Sequence, residues 1–245
     1  KQGLLHDLLT RGIDANGELR PSQSEAPHLY KASSLGWISH AWQILPADQV
    51  CEAVIDCKNR TPPEATSGHP VIRTPNVRDG RFVRQGLALT DSLSYAIWTQ
   101  RGRPSRGDVL ITREAPVGEV CLLPDDMTDA CLGQRMMMYR PDADVLKSEF
   151  MLIALLSDPV QKSLLDLAGG STVGHVKVGD IRKLRIPIPS LHEQAQIIEA
   201  YAAMDVRLSS EEALIAKLRQ NKSGLMDDLL TGRVRVTPLL QGQAT

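Results

Sequence analysis

The forty residues LHEQAQIIEAYAAMDVRLSSEEALIAKLRQNKSGLMDDLL, from about Leu191 to about Leu230, read as one unbroken helix. Tyr201, Leu208, Ile215 and Lys222 recur every seven residues. Ile197, Met204, Glu211, Leu218 and Leu225 keep the same period, offset from the first set by three. That spacing is an a/d seam sustained over about four heptads, with polar breaks at Glu211 and Lys222. At about 1.5 Å per residue the helix measures about 60 Å. A domain of ordinary size cannot cover a stripe that long. Two arrangements are open: the helix folds back on its own domain, or the seam takes a second helix.

The end of this helix is repeated at the start of the chain. KQGLLHDLLTRGID opens the sequence, and KSGLMDDLLTGRV returns at Lys222–Val234, 221 residues later and without gaps. Seven of the first ten positions are identical: Lys1/Lys222, Gly3/Gly224, Leu4/Leu225, Asp7/Asp228, Leu8/Leu229, Leu9/Leu230 and Thr10/Thr231. Solenoid repeats run at roughly 20–50 residues, so this is one module framed by two copies of a helix terminus. The expected partner of the seam is therefore the helix whose last turns are Lys1–Thr10. The first residue is Lys rather than Met, and the expectation is that the natural start lies upstream.

Between these ends lies a chain of ordinary globular composition, 42% hydrophobic over 245 residues, with no run near the roughly 18 apolar residues of a membrane span. Cys51, Cys57, Cys121 and Cys131 lack paired zinc spacing and are too sparse for a secreted disulfide framework, which favours reduced thiols in a cytoplasm. The net charge of −1 conceals blocks of opposite sign. Lys58–Arg113 holds ten Lys and Arg against four acids, and Glu114–Asp166 holds four against ten. Lys177, Arg182, Lys183 and Arg185 then restore a positive stretch. Nine of the ten bases in the first block are arginines, whose planar fork suits phosphate and guanine. The pattern points to a polyanion on one face.

Gly12 stops the opening helix, and a polar linker follows through Pro21 and Ser24. From Pro27 to Pro189 short apolar runs bounded by turn formers predict strands at Val54–Cys57, Pro70–Arg73, Gly107–Thr112, Glu119–Leu123 and Met136–Arg140. Ser148–Leu167 has helical spacing, interrupted near Asp158–Pro159, and Pro187 and Pro189 close the domain. Polar loops between the strands carry groups that suit phosphates and base edges. These are Arg60 and Thr61, then Arg73, Thr74, Asn76 and Arg78, and then Arg113 with Glu114. Gln134 and Arg135 follow Gly133, a residue that admits close backbone approach. Ser171 and Thr172 end a Gly-Gly-Ser-Thr run whose amides and hydroxyls suit a phosphate, with Lys177 and Arg182 beyond it. Taken singly, each of these residues is equally a cap or a turn former, and Tyr95 and Trp98 are equally core aromatics. The set carries the reading.

No catalytic site is legible. An adenine methyltransferase needs an Asn/Asp-Pro-Pro-aromatic motif and a glycine-rich cofactor loop, and neither occurs. There is no nucleotide-binding G-x-x-x-x-G-K-[ST] loop and no H-E-x-x-H zinc motif. Asp108 with Glu114 lacks the lysine that follows the acid in metal nucleases. Asp56, Asp79, Asp91 and His175 read as scattered, without a second member of a catalytic dyad.

Several stretches carry a family resemblance. IRKLRIPIPSLHEQAQII, the long helix and LMDDLLTGRV are together similar to the closing part of specificity subunits of type I restriction–modification systems. NRTPP (Asn59–Pro63), IRTPNVRDG (Ile72–Gly80), GDVLITREAPVGE (Gly107–Glu119), LGQRMM (Leu132–Met137) and GSTVGHVKVGDI (Gly170–Ile181) resemble the motifs of their target-recognition domains. The resemblance implies an α+β fold: a mixed-sheet target-recognition domain followed by one long coiled-coil-forming helix. Its divisions would be 1–12, the end of a preceding conserved helix; 13–26, a linker; 27–189, the DNA-binding domain; 190–231, the helical spacer; and 232–245, a tail. The helix would present Ile197, Tyr201, Met204, Leu208, Ile215, Leu218 and Leu225 to an antiparallel helix from the other half of the subunit. The resemblance also implies a non-catalytic, cytoplasmic subunit that binds double-stranded DNA and docks methyltransferase subunits. The restriction/motor subunit would join through the complex. No metal or cofactor is expected on this chain; S-adenosylmethionine, ATP and Mg are expected on the partners. The chain would be the second half of a two-domain subunit or a natural half-subunit. Two other readings are open: the recognition tail of a single-chain methyltransferase–nuclease, and a coiled-coil scaffold without DNA specificity.

Overall fold

Two strands of the central sheet do not alternate between apolar and polar, because both of their faces are covered. In a computed structural model that describes residues 2–169 and 174–234, all of Val109–Arg113 is buried, as is nearly all of Met136–Pro141. The chain starts with helix α1 (Gln2–Thr10). Strands β1 (Tyr30–Ser33), β2 (Gly36–Ser39), β3 (Gln43–Pro46) and β4 (Cys51–Asp56) come next. They are followed by β5 (His69–Ile72), β6 (Val77–Arg78), β7 (Arg81–Phe82), β8 (Ala88–Thr90) and helix α2 (Ser92–Trp98). Then come β9 (Val109–Arg113), β10 (Val117–Leu122), β11 (Cys131–Leu132) and β12 (Met136–Pro141). The remaining elements are α3 (Ser148–Leu155), α4 (Asp158–Leu167), α5 (Val178–Arg182), β13 (Arg185–Ile188) and α6 (Leu191–Leu230).

The largest sheet has the order β10-β9-β12-β4 and is antiparallel throughout, with Met137 opposite Asp56 and Met136 opposite Thr112. One of its faces carries Ile55, Leu110, Cys121, Met136 and Met138. These pack with Ile72, Val77 and Leu132 from the strands around a second sheet, β11-β5-β8. Side chains alternate along a strand, so Val109, Ile111, Met137 and Tyr139 occupy the opposite face, where α3 packs on β9, β10 and β12. Fully burying one such side chain is worth about 1.5–3 kcal/mol, and the double layer supplies many. The helix expected over Ser148–Leu167 is two, α3 and α4, separated where Asp158 and Pro159 begin a new first turn. β13 contains Pro187 and, among the described residues, pairs only with β3, an edge position that tolerates a residue without an N–H. It replaces the simple closure expected there.

The chain divides into two compact units, Gln2–Ala200 and Tyr201 onward. The first takes in more than the recognition domain expected at 27–189. α1 packs on β2 and buries Leu5, Leu8 and Leu9. The stretch 13–26 is anchored rather than loose, because Ile13 N–H donates to Glu193 Oε1 at 3.0 Å and Arg20 pairs with the Glu193 carboxylate. Gly12, at φ +68°, leaves no room for a Cβ beside Glu193 and Arg20. The start of α6 is built from its own sequence: Ser190 Oγ accepts from Glu193 N–H at 3.2 Å, an N-cap. Gln194, wholly buried, accepts from Lys147 N–H at 2.8 Å and donates to the Val145 and Pro189 carbonyls. Ile197 is fully buried with them, which moves it from the expected seam into the core of this unit.

The buried residues of α6 all lie within its first seven positions. In the second unit Ile215, Leu218 and Leu225 are exposed, and Tyr201, Met204 and Leu208 are half-buried. Both copies of the repeat end alike. Thr10 Oγ1 donates to the His6 carbonyl at 2.7 Å, and Thr231 Oγ1 to the Asp227 carbonyl at 2.6 Å. They differ in burial: Met226, Leu229 and Leu230, the counterparts of the buried Leu5, Leu8 and Leu9, are all exposed.

Candidate nucleic-acid interface

Strand direction brings distant loops together. β4 and β9 end, and β12 and β10 begin, at the same edge of the central sheet. β5 and β11 run parallel, Leu132 beside Ile72, and leave toward this edge through Arg73 and through Gly133–Arg135. The loops after β4, β5, β9 and β11 therefore form one rim, to which His175 is joined by a bridge with Glu114.

Two cavities open on the rim among the described residues. The first, about 410 Å³, is lined by Thr61, Arg73, Thr74, Pro75, Gln134 and Arg135. Five of these were singled out from sequence. The Thr61 and Thr74 hydroxyls and the Gln134 amide make no hydrogen bond with any described residue, so their capacity faces solvent. Arg73 lies over the cavity with Nη1 donating to Glu64 at 3.0 Å and Nη2 to the Gly86 carbonyl at 3.1 Å, while its buried Nε has no partner. Gly133 is glycine because a Cβ would lie 2.9 Å from Arg73 Cγ; the close approach expected there is to the chain's own arginine. Arg135 holds φ +77° and Ala115 φ +51°, so among the described residues two of the three non-glycines at positive φ are in the rim. Such backbone costs about 1–2 kcal/mol per residue, and it clusters at functional sites.

The second cavity, about 430 Å³, is lined by Asp56, Cys57, Asn59, Arg101, Arg113, His175, Lys177 and Val178. Glu114 stands between the two, 3.3 Å from His175 Nδ1 and 3.5 Å from Arg135 Nε. Arg101 and His175 were missed. Arg101 lay unnamed in the arginine block, and His175 read as lacking a dyad member because Glu114 is 61 residues away in the chain. Asp56, also read as lacking one, is paired with Arg101.

Other candidates fall elsewhere. Asn76 is 1% exposed: its Oδ1 accepts from Arg73 N–H at 2.9 Å and its Nδ2 donates to the Val83 carbonyl at 3.0 Å. This amide frames the loop and is not available to a ligand. Arg113, at 5% exposure, is recessed rather than displayed. Arg60 lies over the Trp98 ring at 5.3 Å, with Lys58 Nζ 5.1 Å from the same centroid. Arg78 is exposed on the β6–β7 hairpin, and Arg182 ends α5; neither lines a rim cavity. Ser171 and Thr172 lie outside the described residues. Asp108 and Glu114 flank β9 at opposite ends, about 20 Å apart at strand rise. Asp108 is wholly buried against Arg140, so the two acids form no joint site.

Burial governs the thiols. Cys51, Cys121 and Cys131 are free and are pushed up to about 12, chiefly by desolvation. Among the described residues no group of His, Cys, Asp and Glu is arranged to hold a metal, and no helix is long and apolar enough to cross a membrane.

Residues 41–220 match the family described as the type I restriction modification DNA specificity domain. The chain belongs to this family. The type I restriction enzyme MjaVIII specificity subunit of Methanocaldococcus jannaschii is 21% identical over 243 residues, which cover 98% of this chain and 54% of that protein. The putative MjaX specificity subunit of the same organism is 26% identical over 129 residues, 53% of this chain and 29% of that one. The HsdS subunit of Thermoanaerobacter tengcongensis shares the fold at a TM-score of 0.55 and 18% identity, covering 84% of this chain and 48% of its own. A chain solved in work on complex assembly and conformational transition of the type I R-M system gives 0.58 and 19%, covering 84% and 50%. The specificity domain described here thus spans about half the length of the relative it matches end to end.

Proposed function

We propose that this chain is a DNA sequence-recognition subunit, or half of one, of a type I restriction–modification complex. In this reading the rim reads one half of a bipartite target in double-stranded DNA. The observation that carries it is the first rim cavity, where Thr61, Thr74 and Gln134 keep unfilled hydrogen-bonding capacity beside Arg73 and Arg135. Mixed donors and acceptors on a sheet rim between arginines are what direct reading of base edges requires. Family membership and the arginine-rich block support the same reading.

The distal part of α6 is the spacer, pairing antiparallel with the helix of the other half, and the assembled subunit docks methyltransferase subunits and, through them, the restriction/motor subunit. S-adenosylmethionine, ATP and Mg belong to those partners, and the complex works in the cytoplasm. The chain itself neither methylates nor cuts DNA. Mobility-shift selection from a random duplex pool, with and without the partner subunits, tests the assignment: a split consensus is expected. Enrichment of no sequence with all partners present overturns it. Incubation with tritiated S-adenosylmethionine and mixed-sequence duplex should leave the DNA unlabelled; transfer above a denatured control refutes the non-catalytic reading.

A further inference from the structure

The second rim cavity contains an electrostatic imbalance. Arg113 is 5% exposed, and a buried guanidinium ordinarily lies against a carboxylate, since an unpaired buried charge is strongly disfavoured. Here Nη1 donates to the Val176 carbonyl at 3.2 Å and sits 3.3 Å from His175 Nε2, while the buried Nε has no partner. Among the described residues no acid lies within ion-pair distance of Arg113. The acids nearby are already engaged, Asp56 with Arg101 and Glu114 with His175 and Arg135. To accept from Arg113 at Nε2, His175 must be the neutral tautomer that donates from Nδ1 to Glu114, so it supplies no countercharge. Lys177 adds a second cation to the same wall, Arg101 adds a third that is paired with the lining carboxylate of Asp56, and Asn59 adds an uncharged amide.

We infer that this cavity seats a phosphate of the DNA backbone, with Arg113 as its buried anchor and Arg101, Lys177 and Asn59 completing the seat. The inference rests on the reading of the rim as a DNA interface and deepens it by dividing the labour: the cavity of Gln134 reads bases and the cavity of Arg113 fixes the duplex. A base edge does not suit Arg113, because reading guanine needs an exposed, parallel pair of donors, and this fork is recessed and held by Val176. A phosphate projects from the duplex and accepts from several directions, which matches converging donors.

The test is binding of the full chain to mixed-sequence duplexes across a range of KCl in phosphate-free buffer. Removing one phosphate contact lowers the slope of log affinity against log salt by about 0.9. Lys177→Gln, at an exposed side chain, and Arg101→Gln should each do so, with the same loss on every sequence. Arg113→Lys should weaken binding likewise. Lys162→Gln, on α4 and lining neither rim cavity, should leave the slope unchanged. If wild type binds no duplex, the DNA reading itself fails and this inference falls with it. If wild type binds with a steep slope that both Gln variants at the seat retain, the seat is wrong and the DNA reading stands. A loss confined to particular sequences makes the cavity a base reader and overturns the assignment. Inorganic phosphate at matched ionic strength should compete no better than chloride; selective displacement of DNA by it would mark a free-anion site instead.

Discussion

Gln134 and Asn76 are both amides next to rim arginines, and the structure gives them opposite work. Gln134→Ala removes an amide that bonds to no described residue. It should leave stability within about 0.5 kcal/mol while relaxing one half-site by about 1–3 kcal/mol, as should loss of Arg73. Loss of Lys177, or of Arg182 if it too meets a phosphate, should weaken all sequences alike. Affinities measured on single-base variants of the target separate the two behaviours. Asn76→Ala instead leaves the Arg73 N–H and the Val83 carbonyl without their bonds. It should cost about 1–3 kcal/mol in urea unfolding. Sequence pattern reached both residues as loop amides in two separate motifs and could not tell them apart, because the direction of the Asn76 amide is set by its loop closing on itself seven residues later. The same limit applies to Arg113, whose burial depends on His175 and Val176 arriving from another segment. The thiols give a residue-scale pH effect. In the native chain burial pushes the Cys51, Cys121 and Cys131 thiols up to about 12, above the ordinary thiol range. The unfolded chain therefore releases these protons first. Stability present below about pH 9 should fall as pH rises toward 12, each thiol adding a slope of up to about 1.4 kcal/mol per pH unit. Cys→Ser variants, unfolded in urea across that range, check it.

Elements were more legible than side-chain directions wherever periodicity was long or turn formers bounded it. The forty-residue α6, the break between α3 and α4, and the strands of the central sheet appear within a few residues of their expected places. The β1–β2 hairpin, α2 and the β3–β13 pair were not foreseen. These are short elements whose identity comes from tertiary partners, and α2 needed Asp91 to be recognised as an N-cap accepting from Leu93 and Ser94 N–H. α6 carries the prediction at this scale. Leu208→Asp with Ile215→Asp should abolish pairing with a second helix, since burying two charges in a seam costs several kcal/mol. The compact unit that ends at Ala200 should keep its unfolding midpoint. Size-exclusion of co-expressed halves reads the first outcome and urea unfolding the second. Retained pairing and normal assembly would remove the seam.

At the scale of the whole molecule the controlling quantity is distance. In the proposed assembly, a helix of about 60 Å between two recognition domains would place them roughly two turns of B-DNA apart. The target should therefore be two short half-sites with a fixed non-specific gap. Exchanging residues 59–135 for the matching stretch of another specificity domain should change one half-site and leave the other half and the gap intact. Sequencing the methylated motifs of cells that carry the system reads this directly. A short continuous motif that ignores the exchange would refute it.

The uneven burial of α6 also has a consequence for amide hydrogen exchange. Its first turns are locked by Ser190, Glu193, Gln194 and Ile197 into the unit ending at Ala200, so their amides should exchange only when that unit opens globally. From Tyr201 onward the helix buries no residue fully, and beyond Ser209 nearly all of its positions are exposed; a helix so little covered is marginal in water, so exchange there should proceed by local fraying. Adding the other half of the subunit should slow these amides by orders of magnitude, beginning at one residue and ending at another. Those two residues would bound the spacer, giving the separation of the half-sites in the absence of any DNA.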